Sequence, residues 1–72
     1  MINLQQNLKY LRKLSGKTQQ EMADVLNMEK GTYASYEEGR CSPKIMGLIT
    51  ISDYYGTSID VLVRKDIENN LL

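Results

Sequence analysis

The residues able to do chemistry in this 72-residue chain are amides, hydroxyls and cations, and many of them gather between Thr18 and Gly39. Histidine is absent and Cys41 is the single cysteine, so the usual metal sites and histidine-dependent acid-base catalysis have no residues to use. No catalytic residue, metal ligand or cofactor is expected, and the chemistry left is recognition by hydrogen bond and charge. Within this stretch, small, turning and bulky residues fall where two crossed helices need them. Ala23 sits where a second helix must approach closely, Asn27 follows where the backbone must turn, and Tyr33 and Tyr36 share one helix face. That spacing is a helix-turn-helix, a unit that usually binds double-stranded DNA.

The elements that must position these residues are all helical. Asn3 can cap a first helix over Leu4 to Leu14 with Gln6 at the third position, and Leu4, Leu8, Leu11 and Leu14 form its apolar stripe. Thr18 and Glu21 make a capping box for a second helix, Gln19 to Leu26, which buries Met22, Ala23, Val25 and Leu26. Asn27 stands where a glycine is expected and tolerates the left-handed conformation. A third helix should begin near Glu29 or Lys30 and stop at Gly39, with Gly31 as an interior glycine that costs about 1 kcal/mol relative to alanine. Ser42 as N-cap and Pro43 at the first position predict a fourth helix that buries Ile45, Leu48, Ile49, Ile51 and Tyr55 and closes at Gly56. Ser58 caps a short fifth helix held by Ile59, Leu62 and Val63. The expected division is a domain over residues 1–63 and a tail over 64–72, with Ile67, Leu71 and Leu72 unassigned to any core.

Composition narrows the partners. A chain this short buries only about 60% of its unfolded surface, which makes pairing with a second copy an expectation from size alone. No apolar run approaches the roughly 20 residues of a membrane span, no secretory signal opens the sequence, and one cysteine cannot form an internal disulfide; a cytoplasmic location fits. Net charge is zero, yet up to Gly47 seven basic residues stand against five acidic ones. That mild excess matters because neutralising phosphates supplies most non-specific affinity for nucleic acid.

Taken together, Leu11-Arg12, Thr18 to Ala23, Leu26, Tyr36-Glu37, Gly39, Pro43, Leu48 and Ser58 to Leu62 resemble the phage repressor and Cro-type (XRE-like) helix-turn-helix family of bacterial and phage transcription regulators. The resemblance covers roughly Leu8 to Leu62. It implies an all-α fold, a compact five-helix bundle like the lambda repressor DNA-binding domain, in which helix two crosses the DNA backbone and helix three lies in the major groove.

The resemblance also implies roles. Gln19 falls where the family contacts a phosphate at a helix N-terminus, a place that attracts anions in any case. Lys30, Thr32 and Ser35 fall on base-facing positions, and each type suits them: lysine donates to guanine, while threonine and serine serve bases or phosphates. Glu29 matches a further contact position at the helix start, where its charge also suits the helix dipole. Apart from the resemblance, Lys17, Arg40 and Lys44 are expected to face phosphates; Lys44 is placed in the first turn of helix four, where a cation opposes the helix dipole and a phosphate contact would explain it. Arg12 and Glu37 match positions that form an ion pair between helices one and three, while Tyr33 and Tyr36 are read as core with hydroxyls reaching outward. The implied function is sequence-specific regulation of transcription, as a homodimer paired through helix five. The alternative is a protein-interaction or antitoxin-like module whose C-terminal helix and tail bind another protein.

Overall fold

The computed structural model describes residues 2–69 and resolves five helices in chain order: α1 (Leu4–Leu14), α2 (Gln19–Val25), α3 (Lys30–Glu38), α4 (Ile45–Tyr55) and α5 (Ile59–Arg64). α1 packs against α3 and α5, α2 against α3, and α4 against α5. Leu4, Leu8, Met22, Ala23, Leu26, Tyr33, Ile51 and Leu62 form the common core, with Leu11, Met28, Tyr36, Leu48, Tyr55 and Val63 packed around it. Burying a side chain of this size contributes about 1.5–3 kcal/mol, so four of them, Leu8, Met22, Ile51 and Leu62, supply much of the cohesion. No helix among the described residues is long and apolar enough to cross a membrane.

Several sequence expectations hold. Thr18 and Glu21 form the full capping box at α2, Asn27 turns the chain at φ 59°, Gly39 and Gly56 end α3 and α4 in the left-handed region, and the Ser58 hydroxyl accepts from the Val61 N–H.

Others are corrected. Asn3 makes no side-chain cap at α1; its backbone N–H donates to Val63 O at 2.7 Å and its side chain to Arg64 O at 2.8 Å. The carbonyls at the end of α5 compete for that asparagine and win, and Gln6 likewise turns to Asp66 Oδ1. α2 ends at Val25, with Leu26 as its C-cap. α4 starts two residues later than Ser42 and Pro43 suggested: Lys44 is the N-cap in an extended conformation, and Pro43 is buried just before it. Pro43 disfavours the helical conformation in the residue before it, which moves the first turn downstream. Leu14, Val25, Ile45 and Ile49, expected inside, are exposed because the opposite faces of their helices meet the core.

The described part of the tail is fastened to α1. Fully buried Asn7 donates through Nδ2 to Leu62 O (2.7 Å) and Lys65 O (2.6 Å) and accepts at Oδ1 from the Ile67 N–H (3.2 Å). Asn3, at the N-cap of α1, and Asn7 within it thus satisfy carbonyls that a helix end leaves without partners. Ile67 is half-buried; Leu71 and Leu72 lie outside the described residues.

Candidate nucleic-acid interface

α3 is held by one side and bare on the other. Tyr33, Ala34 and Glu37 are buried, whereas Glu29, Lys30, Gly31 and Thr32 are exposed and Ser35 is half-exposed. The exposed residues are those the sequence assigned to base edges, and no other described part of the chain covers them. The Ser35 hydroxyl donates back to Gly31 O at 2.7 Å, a local bond common for serine inside helices. Glu29 takes the N-cap without a side-chain cap bond, leaving its charge beside the positive end of the helix.

The orientation of α3 is fixed by a buried polar cluster. Arg12 Nε donates to Glu37 Oε2 at 2.7 Å and Nη2 to Oε1 at 3.2 Å, with the two side chains only 13% and 2% exposed. A third guanidinium nitrogen, Nη1, donates to Lys17 O at 2.9 Å, tying the α1–α2 connection to the same centre. The ion pair expected between Arg12 and Glu37 is therefore present, as a two-pronged contact. Burial pushes the Glu37 carboxyl up, but the polar contacts of Arg12, Tyr33 and Gln19 outweigh it and hold the group below the usual carboxylate range. Bonding to Glu37 raises the Arg12 guanidinium above its ordinary value despite burial.

Tyr33 corrects the expectation that its hydroxyl reaches outward. Its ring and hydroxyl are inside, beside the Glu37 carboxylate but short of hydrogen-bond geometry, and burial followed by that negative neighbour raises the phenol strongly. Tyr55, whose hydroxyl lies 3.6 Å from Met22 Sδ, is pushed up to about 12 by burial and by Tyr54.

The residues assigned to phosphates have different settings. The Gln19 side-chain amide donates to Glu37 Oε1 at 3.2 Å, so it is oriented from within while α2 begins at its own backbone. The first backbone N–H groups of α2 remain at a positive helix end, since Thr18 caps only the Glu21 N–H. Glu21 returns the bond to the Thr18 N–H at 2.8 Å, and that bond lowers its carboxyl. Lys17 is half-buried and its carbonyl is held by Arg12. Arg40, just past the α3 C-cap, pairs with Glu38 at 2.8 Å, but both side chains are more than half exposed and such a pair is worth little. Lys44 is exposed at the N-cap of α4, not inside its first turn.

Sequence reasoning missed Asn7 altogether. Its one signal was a polar residue between Leu4 and Leu8, on the buried stripe of α1. It also missed that Gln19 joins the Arg12–Glu37 centre, because partners on three different helices leave no local pattern.

A family model described as helix-turn-helix matches residues 8–62. An uncharacterized HTH-type transcriptional regulator of Bacillus subtilis, YqaE, is 41% identical over 61 residues, which is 85% of this chain and 53% of that protein. The cryptic phage CTXphi transcriptional repressor RstR of Vibrio cholerae is 38% identical over 53 residues, 74% of this chain and 47% of that one. The chain thus spans about half the length of these curated relatives. A solved structure, a transcriptional regulator from Listeria innocua, superposes with a TM-score of 0.81 at 33% identity, covering 99% of this chain and 68% of that one.

Proposed function

The chain belongs to the helix-turn-helix family, and on that premise we propose that it is a sequence-specific double-stranded DNA-binding transcriptional regulator, a repressor, that reads the major groove with α3. The observation that carries the reading is the bare face of α3, Glu29 to Thr32 with Ser35, set on a helix whose other side is locked by Tyr33, Ala34 and Glu37. Lys30, Thr32 and Ser35 meet base edges, with Glu29 at the rim. Lys17, Gln19, Arg40 and Lys44 meet phosphates on either side, Gln19 together with the free N–H groups of α2. Named regulators and a phage repressor among the relatives support the same reading.

The protein acts as a cytoplasmic homodimer on a two-fold site with half-sites about one helical turn apart. Support for pairing lies in α4, which carries apolar residues all round and leaves Ile45 61% and Met46 70% exposed. On α5, by contrast, Ile59 and Val63 are already half-buried.

The test is binding to a duplex from the region upstream of its own gene, in competition with random duplex, at rising salt. A regulator shows a preferred site and loses affinity as a power of salt concentration. Equal affinity for both duplexes at every salt, or none, overturns the reading.

A further inference from the structure

Two glycines in this fold, Gly31 and Gly47, meet neither a steric nor a conformational need, and Gly31 is the one on the bare face of α3. Gly16, Gly39 and Gly56 adopt positive φ of 69°, 77° and 67°, whereas a Cβ on Gly47 would make only ordinary contact, 3.5 Å from Pro43 and 3.8 Å from Met28. Gly31 lies in the first turn of α3, its φ is not positive, and a Cβ there meets nothing within 4 Å. A glycine in a helix lowers stability through the extra freedom of the unfolded chain, so alanine here would make the isolated protein more stable at no steric cost.

A second feature deepens the same gap. Ser35 lies one turn along the same side of the helix, and its hydroxyl is folded back onto Gly31 O instead of projecting. Gly31 and Ser35 therefore form a shallow notch in the bare face of α3, between the exposed side chains of Lys30 and Thr32. Those neighbours donate and accept; the notch presents backbone and the Ser35 oxygen, which can still accept from a base edge.

We propose that Gly31 is a specificity-determining residue, whose missing side chain lets the edge of a base pair enter the notch so that α3 approaches the nucleic acid most closely there. This rests on the reading that α3 enters the major groove. It assigns to a residue without a side chain the part of recognition that is steric: a helix seated deep enough for Lys30 and Thr32 to reach base edges on either side.

The consequence is a substitution whose effects on stability and binding have opposite signs. The test measures thermal unfolding of wild type, Gly31→Ala and Gly31→Leu, and their affinities for two probes: the tightest duplex that wild type recovers from a randomised pool, and an unselected random duplex. Gly31→Ala is expected to raise Tm on the order of 4 °C. It should weaken binding to the selected duplex about tenfold, with a larger loss for Gly31→Leu, while affinity for random duplex stays unchanged. A repeat selection with Gly31→Ala should lose the preference at one base pair. A raised Tm with undiminished affinity for the selected duplex overturns the proposal, and so does a lowered Tm, which would mean that the fold itself needs the glycine. Equal weakening on both probes overturns it too, because that is loss of backbone contact. If wild type recovers no preferred duplex, the DNA-reading function falls and this proposal with it, a failure visible before any variant is compared.

Discussion

Replacing Arg12 with methionine keeps much of the side-chain volume but removes the partner of a carboxylate that is only 2% exposed. In the wild type, two bonds of 2.7 and 3.2 Å connect that carboxylate to Arg12. Removing one partner of a buried pair costs about 3–5 kcal/mol, and with Arg12 at 13% exposure water reaches the gap, so the lower end, about 3 kcal/mol, applies. A domain of this size has a total stability of only about 4–11 kcal/mol. With a urea m-value near 1 kcal/mol/M, the midpoint should fall by about 3 M. The pH dependence gives a sharper signature. In wild type the folded Glu37 carboxyl is lowered, so its stabilisation is present above the unfolded value, about 4.3, and is lost as pH falls through the folded one. In Arg12→Met, burial acts without its counterweight and raises the folded carboxyl; its penalty then grows as pH rises from the unfolded value to the folded one. Urea unfolding followed by circular dichroism should therefore show a wide gap between the two proteins near pH 7, a smaller one near pH 4.5 where the mutant's penalty has gone, and a further narrowing below that as Glu37 protonates in the folded wild type. A gap below about 1 kcal/mol at neutral pH, or one independent of pH, would refute the assignment of the pair as the anchor of α3.

Replacing Asn7 with leucine should cost about 3 kcal/mol in the same assay, since it strips partners from Leu62 O, Lys65 O and the Ile67 N–H, and hydrogen exchange at the Ile67 amide should accelerate. Thr18→Ala should lose about 1 kcal/mol by removing the hydroxyl that accepts from the Glu21 N–H, while carboxyl titration by NMR should show Glu21 still lowered, since the backbone N–H of residue 18 that chiefly holds it is kept. Lys30→Ala should relax preference at one base pair in a selection experiment, whereas Arg40→Ala should weaken all sequences alike and reduce the salt slope by about 1. Met46→Glu should shift sedimentation toward the monomer without lowering Tm, because the side chain is 70% exposed and only a second copy would cover it.

How much of this was legible in the sequence depended on how local the cause was. Thr18 with Glu21, Asn27, Gly39, Gly56 and Ser58 act on backbone within a few residues, and each does in the structure what its type requires. Asn3 and Ser42 are equally good cap residues by type, yet neither caps. Asn3 is drawn to α5, some 60 positions away in sequence, and Ser42 precedes a proline. Apolar spacing named Leu4, Leu8, Met22, Ala23 and Ile51 as core correctly, but overfilled it with Leu14, Val25, Ile45 and Ile49. In so short a chain each helix meets the core along one narrow stripe, and periodicity gives the stripe's period without its width. On the interface, residue type and position marked Glu29, Lys30, Thr32 and Ser35; their exposure follows from Tyr33 and Glu37 turning inward, which only the packed fold displays.

The central claim is that residues 29 to 35 enter a groove of DNA, and amide chemical-shift mapping with a selected duplex tests it most directly. The largest shifts should fall on Glu29 to Ser35, with smaller ones at Lys17 to Gln20 and Arg40 to Lys44. Shifts confined to α4, α5 and the segment after Arg64, with the α3 amides unmoved, would contradict it.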